Sequence, residues 1–224
     1  MLHLNHIKKS FNKHEILKDV EYTFNNGQIY PILGGPGAGR TTLFECICGD
    51  LSIDAGKIVT QKRGGIFFAA KQSVLPMYIT GYEFIRFLCG LCGDKGHPDD
   101  YLDKAHISEE VKDTMICDYS FEDKKKLQLA TMFVQKPEVV LIDEPLDYCS
   151  NEYIDEYISI LNSVKSDYTI LVSTGLLKVA QKISQDIIVL NDGELNLITK
   201  ETLGVPEVRK AVLDILGEID NEIL

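Results

Sequence analysis

The sequence is short of basic residues and has no long apolar segment. Its 224 residues include 23 lysines and arginines against 34 aspartates and glutamates, which gives a formal net charge of −11 at pH 7. Nucleic-acid-binding domains need a basic face, so this balance argues against a nucleic-acid partner. No apolar run approaches the roughly 18–20 residues of a membrane-spanning helix, and residues 1–4 lack the pattern of a signal peptide. We therefore expect a cytoplasmic protein.

Basic runs and paired cysteines are also scarce. The only short basic run, Lys124-Lys125-Lys126, is typical of a solvated helix face. Among the six cysteines, Cys89 and Cys92 have the C-x-x-C spacing, but no second pair and no histidines at zinc spacing accompany them. This pattern favours small hydrophobic residues on a helix over a metal or redox site.

One glycine-rich segment carries the strongest chemical signal, and we call it the phosphate loop. Its residues are Gly34, Gly35, Pro36, Gly37, Ala38, Gly39, Arg40, Thr41 and Thr42. An apolar run precedes it and a helix-like run follows, and the spacing matches the template G-x-x-x-x-G-K-[ST] except that Arg40 replaces lysine. Backbone N–H groups of such a loop surround an anion at a helix N-terminus, so the pattern predicts phosphate binding.

The side chains of the phosphate loop refine this prediction. Thr41 can offer its hydroxyl to Mg²⁺. Arg40 can reach phosphate, but its planar fork of donors does not simply replace the compact ammonium of lysine. The loop therefore predicts binding more firmly than catalysis.

A second signal is an apolar run that ends in two carboxylates. The run Val139–Ile142 is typical of a strand buried on both faces of a parallel sheet, and Asp143-Glu144-Pro145 follows it. Open α/β sheets bind their ligands at the carboxyl edge of the strands. At that edge Asp143 can approach Mg²⁺ through water, and Glu144 can polarise an attacking water molecule.

The N-terminal third indicates β-structure. Leu2–Phe11, residues 21–24 and Gln28–Leu33 have strand patterns, and Asn25-Asn26-Gly27 is a hairpin signal between the last two. We therefore expect a β-meander at the N-terminus. Pro31 cannot donate to a ladder, which predicts that its strand is locally unpaired or edge-like there.

The middle of the chain favours helices. Thr80 and Glu83 have the spacing of a capping box before an apolar helix pattern. Further helices are predicted over residues 108–117 and 124–134, with the second ended by a proline. The expected helical region extends over about residues 76–136.

In this order the motifs resemble those of the nucleotide-binding subunits of ABC transporters, over nearly the whole chain. The resemblance implies an α/β P-loop NTPase fold of the ABC-ATPase type, with a mixed sheet core and an N-terminal antiparallel β-subdomain. It implies one domain over residues 1–224, with a small helical subdomain inserted at about residues 76–136.

The resemblance also implies cofactors and further site residues. By position, Phe11 matches the adenine-stacking aromatic of the family, and Gln72 matches the glutamine that contacts metal and water. Ser120 matches the serine of the signature motif, which meets the nucleotide of a partner chain. The implied cofactors are ATP and Mg²⁺, with Glu144 and Gln72 as catalytic residues. The implied metal ligands are Thr41, Gln72 and Asp143.

The chain also departs from the family pattern. The signature L-S-G-G-Q is replaced by Tyr119-Ser120-Phe121-Glu122-Asp123, which we call the signature segment. A carboxylate that faces a triphosphate repels it by about 4 kcal/mol per close pair at an effective dielectric near 20. Gly175 stands in place of the switch histidine, while Cys149 and Ser150 replace a leucine–aspartate pair. These departures imply weak or conditional ATP hydrolysis.

The family works as head-to-tail pairs, with each ATP between one chain's phosphate loop and the other chain's signature. The resemblance therefore implies a homo- or heterodimer bound to a separate transmembrane permease subunit, peripheral at the inner face of the membrane. Two alternatives stay open. One is a nucleotide-gated regulatory or structural subunit without turnover, and the other is a small P-loop phosphotransferase.

Overall fold

The computed structural model describes residues 1–60, 65–147 and 149–217. Its strands are β1 (Leu2–Phe11), β2 (His14–Phe24), β3 (Gln28–Leu33), β4 (Ala55–Thr60), β5 (Ile66–Ala69), β6 (Val139–Ile142), β7 (Thr169–Thr174), β8 (Ile187–Asn191) and β9 (Glu194–Ile198). Its α-helices are α1 (Arg40–Cys48), α2 (Gly81–Cys92), α3 (Pro98–Lys104), α4 (Glu109–Lys112), α5 (Phe121–Gln135), α6 (Asn151–Val164), α7 (Leu177–Ile183), α8 (Lys200–Leu203) and α9 (Pro206–Leu216).

The strands form two sheets. The N-terminal sheet has the order β2-β1-β4 and is antiparallel. The second sheet has the order β5-β6-β7-β3-β8-β9 and is parallel except for the β8–β9 pair. The predicted mixed core and antiparallel N-terminal sheet are therefore confirmed. Because β3, β5, β6 and β7 run in the same direction, the segments that follow them meet at one edge of the sheet.

The N-terminal meander is not formed. The turn Asn25-Asn26-Gly27 leads from β2 in the first sheet to β3 in the second, where β3 pairs with β7 and β8 instead of β2. Gly27 adopts a φ of +84°, which glycine tolerates without strain.

Pro31 lies opposite Val172 of β7, and pairing with β8 is confined to Ile32 and Leu33. The ladder with β8 thus begins only after the proline.

Helices α2 to α5 lie between β5 and β6 in the chain. The capping box at the start of α2 is present: Thr80 Oγ1 accepts from the Glu83 N–H at 3.1 Å, and Glu83 Oε2 accepts from the Thr80 N–H at 3.0 Å. The helix predicted over residues 108–117 is shortened to α4. The chain leaves the helix because Met115 forms an antiparallel bridge with Thr80 and Ile116 donates its N–H to Ile79.

The basic run on α5 is not a solvated face. Lys125 is 0% exposed and Lys126 is 9% exposed. The Lys125 ammonium donates to the carbonyl oxygens of Ala70 at 3.2 Å and Lys71 at 2.6 Å, while Lys126 pairs with Glu156 at 2.7 Å. Burial disfavours the charged form and lowers the pKa of Lys125 to about 8.

The core fills both faces of the second sheet. One cluster packs α5 and α6 against the sheet, through residues such as Leu127 and Tyr157. A second packs α1 between the two sheets, through Leu4, Phe44 and Leu141. A third packs α7 and α9 against β3 and β8. Of the helices described, none is both long and apolar enough to cross a bilayer.

We expect the contribution of Lys125 to stability to depend on pH. Its pKa rises from about 8 in the folded chain to the ordinary value of 10.5 on unfolding. Between these values the unfolded chain binds more protons, so a rising pH favours folding. The free energy of unfolding should therefore rise relative to that of Lys125→Met by up to about 1.4 kcal/mol per pH unit. Urea unfolding from about pH 7.5 to about pH 9.5 measures this difference.

The comparison with Lys125→Met cancels the other groups that titrate in this range. Burial raises the pKa of Cys46, Cys48 and Cys149 to about 11, which lowers stability above pH 9. These thiols are present in both proteins. A difference that stays constant with pH would contradict the buried, titrating lysine.

Candidate functional site

The phosphate loop joins β3 to α1 at the carboxyl edge of the sheet. Gly39 is the N-cap of α1 with a φ of +98°, and no side chain caps this helix end. A helix N-terminus leaves backbone N–H groups without intrahelical partners, and its dipole favours negative charge. The first turn of α1 can therefore bind an anion.

A cavity of about 670 Å³ lies over the phosphate loop. Residues 35–42 form one side, Phe11 lies at the rim, and Lys71 and Glu144 face the loop. Phe11 is 44% exposed, and the Lys9 ammonium lies 5.3 Å from the centroid of its ring. Gly34 packs closely against β8, because a Cβ at position 34 would approach the Leu190 carbonyl oxygen to 2.9 Å. The structure thus brings Phe11, the phosphate loop and Glu144 together.

Two cations hold the Glu144 carboxylate. Arg40 Nη2 lies 2.5 Å from Oε1, and Lys71 Nζ lies 2.5 Å from Oε2. Side-chain exposure is 9% for Arg40 and 11% for Glu144, but 59% for Lys71. The pairing with Glu144 raises the pKa of Lys71. Glu144 itself has a φ of +43°, and its N–H donates to Ser173 Oγ at 2.9 Å.

Asp143 lies beside this ion pair and is buried. Its Oδ2 accepts from Thr41 Oγ1 at 2.8 Å, and its Oδ1 accepts from Ser173 Oγ at 2.5 Å. The structure therefore brings two of the predicted metal ligands, Thr41 and Asp143, into contact. Hydroxyl and carboxylate oxygens are suitable ligands for Mg²⁺.

The residues that follow β7 pack against Arg40. Asp147 accepts from Thr174 Oγ1 at 2.7 Å and from the Gly175 N–H at 3.1 Å. A Cβ added to Gly175 would lie 3.2 Å from Arg40 Nη1. The guanidinium thus occupies space that a side chain at position 175 would need.

Gln72 and Ser120 lie apart from this cluster. Gln72 is exposed and does not belong to the described residues that line the cavity. Ser120 is the N-cap of α5, and its hydroxyl donates to Asp123 Oδ2 at 2.6 Å. Glu122 accepts a hydrogen bond from Ser150 Oγ at 3.3 Å. The side chains of Ser120, Glu122 and Asp123 are therefore hydrogen-bonded within their own chain, whereas the buried Tyr119 hydroxyl has no partner among the described residues.

Three residues at the site were not predicted from the sequence. Lys71 pairs with the predicted residue Glu144, Asp147 accepts from the Gly175 N–H, and Lys125 donates to the backbone carbonyl oxygen of Lys71. The available signal for Lys71 and Asp147 was their position, because Lys71 follows β5 and Asp147 follows β6 at the ligand-binding edge.

The two cysteines of the C-x-x-C pair differ: Cys89 is buried on α2, whereas Cys92 is exposed.

A family model described as ABC transporter matches residues 17–147. The chain belongs to the ABC transporter family. The match includes the phosphate loop and the Asp143-Glu144 pair, so the chain carries the ATP-binding cassette of an ABC transporter.

Individual ABC relatives agree with this assignment. An uncharacterized ABC transporter ATP-binding protein of Bacillus subtilis (strain 168) is 25% identical, over 88% of this chain and 70% of the relative. A solved ATP-binding subunit of an ABC transporter has a TM-score of 0.78 at 21% identity, over 97% of this chain and 98% of the other. A dimeric ATP-binding cassette in a post-hydrolysis state with ADP and Pi has a TM-score of 0.74 at 18% identity, over 89% and 99%. The two structures share the fold of this chain.

We expect Gly35→Ala to destabilise the protein. A Cβ at position 35 would lie 2.4 Å from the backbone carbonyl oxygen of Ile215 in α9, so the loop and the helix would have to separate. Overpacking of this kind lowers the free energy of unfolding by about 1–3 kcal/mol. Urea unfolding measures the change.

The matched control is Gly90→Ala in α2, where an added Cβ meets no atom within 4 Å. Alanine favours a helix over glycine by about 0.8–1 kcal/mol, so this variant should be as stable as the parent or more so. Equal stability of Gly35→Ala and Gly90→Ala would contradict the tight contact between the phosphate loop and α9.

Proposed function

We propose that this chain binds MgATP on the phosphate loop and couples nucleotide binding to a separate transmembrane permease subunit. The proposal rests above all on the convergence of the uncapped α1 N-terminus, Arg40 and Glu144 on one cavity. Phe11 at the rim is the proposed contact for the adenine ring. Phosphates would lie on residues 34–42, whose backbone donors and dipole favour negative charge.

Thr41 and Asp143 are the proposed ligands for Mg²⁺. Their side chains already touch, and both present oxygen atoms of the type that this ion prefers. Gln72 is the third proposed ligand, and its exposed side chain would have to turn toward the cavity to take part. A bound Mg²⁺ would neutralise charge on the phosphates during their transfer to water.

Slow hydrolysis of ATP is the proposed activity. Glu144 would orient the attacking water, and Gln72 would contact the metal and the water. Arg40 replaces the loop lysine, and Gly175 has no side chain to contact a terminal phosphate. Each lost donor to the transition state typically lowers turnover about 10²–10³-fold. A subunit gated by nucleotide without turnover is the second candidate, because Glu144 is already paired with two cations.

The proposed assembly is a dimer of ATP-binding subunits, homo- or heteromeric, on the cytoplasmic face of a membrane partner. Ser120 would face the nucleotide of the opposite subunit. In this chain the Ser120 hydroxyl donates to Asp123, and Glu122 adds a second carboxylate nearby. These carboxylates would repel the phosphates of the opposite subunit and weaken closure of the dimer.

We expect Arg40→Ala to weaken the binding of MgATP. Arg40 is the only cation of the phosphate loop, and charge-assisted hydrogen bonds to phosphate are among the stronger polar contacts. Isothermal calorimetry is suitable because the sequence has no tryptophan to report binding. The matched control is Arg86→Ala, since Arg86 lies on α2 beside Tyr82. An unchanged affinity in Arg40→Ala would remove Arg40 from the nucleotide site.

We expect Arg40→Lys combined with Gly175→His to raise ATP hydrolysis by more than either change alone. In the single variant Gly175→His, the new side chain would crowd the Arg40 guanidinium, because a Cβ at position 175 lies 3.2 Å from Arg40 Nη1. Arg40→Lys removes the guanidinium and with it this crowding. Glu144→Gln should abolish the rate that the parent shows. Steady-state phosphate release with Mg²⁺, with the membrane partner present, compares the variants.

The rate of the parent protein decides how this comparison is interpreted. A brisk rate in the parent would contradict an impaired ATPase. A rate that survives Glu144→Gln would show that another group acts as the base.

A further inference from the structure

We propose that Lys71 is a second phosphate-binding cation of this site and that it contacts the terminal phosphate of a nucleoside triphosphate. The inference rests on the proposed nucleotide site and adds a residue outside the motifs that indicated it. Lys71 follows β5, whereas the phosphate loop follows β3.

The first observation is that Lys71 and Arg40 converge on one carboxylate. Lys71 Nζ contacts one oxygen of Glu144 and Arg40 Nη2 contacts the other, each at 2.5 Å. Lys71 is 59% exposed, whereas Glu144 is 11% exposed. The Lys71 ammonium is therefore accessible from the cavity, and it can move from Glu144 to a phosphate while Arg40 keeps the carboxylate paired.

The second observation is that side chains of α5 hydrogen-bond to the backbone at Lys71 and the residue before it. Lys125, which is fully buried, donates to the carbonyl oxygens of Ala70 and Lys71. Gln128 Nε2 lies 3.4 Å from the same Ala70 oxygen. An ammonium is costly to bury unless it is hydrogen-bonded, and these bonds anchor the segment after β5. The Lys71 side chain thus extends from a fixed backbone.

The third observation is the balance of charge in the cavity. Among the described residues that line it, Arg40 and Lys71 are the only cations. Arg40 Nη1 is buried and has no hydrogen-bond partner in the described part of the chain. A buried donor without a partner costs free energy, which a bound anion would recover. The lining also carries two carboxylates, Glu144 and Asp147, and Asp147 already accepts hydrogen bonds from Thr174 and Gly175. The two cations and the unpaired Arg40 donor therefore share only the carboxylate of Glu144, which leaves capacity for a phosphate group.

The strand order indicates which phosphate Lys71 can reach. Strands β6 and β7 separate β5 from β3. Inner phosphates that lie on the loop amides are close to β3 and α1. A group that follows β5 faces the loop across the cavity, so it meets the end of the phosphate chain that extends farthest from the loop.

The experiment measures the affinities of MgATP and MgADP by calorimetry for the parent, Lys71→Met, Lys71→Arg and Lys57→Met. Lys57 is an exposed lysine on β4 and serves as the matched control. Loss of one charged hydrogen bond predicts that Lys71→Met binds MgATP about tenfold more weakly. Its affinity for MgADP should stay within about twofold of the parent, because only the terminal phosphate is contacted. Lys71→Arg should restore MgATP binding, and Lys57→Met should bind both nucleotides as the parent does.

Each other outcome overturns the inference in a recognisable way. Unchanged MgATP affinity in Lys71→Met, with normal binding by the parent, would remove Lys71 from the site and leave the proposed function intact. An equal loss for MgATP and MgADP would show that Lys71 attracts phosphate without contacting the terminal one. A parent that binds neither nucleotide would overturn both the proposed function and this inference.

Discussion

The Glu144 carboxylate and its two cations join three separate parts of the fold. Arg40 is the first residue of α1, Lys71 follows β5, and Glu144 follows β6. A carboxylate that is 11% exposed would be costly without partners, so the two ion pairs compensate for its lost hydration. Its left-handed backbone is supported by the hydrogen bond to Ser173. The carboxyl edge of the sheet is therefore organised around this one charge.

Arg40 and Gly175, which both depart from the motifs of the family, are neighbours at this edge of the sheet. Arginine is larger than lysine and needs room for its planar fork. Gly175 provides that room, since a Cβ there would approach Arg40 Nη1 to 3.2 Å. Asp147 holds the backbone of Gly175 in place by accepting its N–H. The arginine at position 40 and the glycine at position 175 thus form one local arrangement, in which the guanidinium fills the space beside β7.

Local signals in the sequence predicted the parts of the site that depend on neighbouring residues. The glycine spacing of the phosphate loop, the Asp143-Glu144 ending of β6 and the capping box at Thr80 are such signals. The turn at residues 25–27 is also local, but the choice between a hairpin and a crossover depends on β7 and β8, which are far away in the chain. Burial of Lys125 escaped prediction for a similar reason, because its partners are the carbonyl oxygens of Ala70 and Lys71.

Helix α5 connects the two regions that nucleotide binding would have to coordinate. Its N-terminal turn carries Glu122, which accepts from Ser150 in the segment after β6. One turn later, Lys125 holds the backbone of Lys71, whose side chain pairs with Glu144. Since α5 is a continuous helix, a displacement of its first turn would move the Lys125 anchor with it. The signature segment is therefore linked to the Glu144 ion pair through helix α5 and two polar contacts, Lys125 to the Lys71 carbonyl oxygen and Lys71 to Glu144. This is a physical route from the proposed dimer interface to the carboxylate.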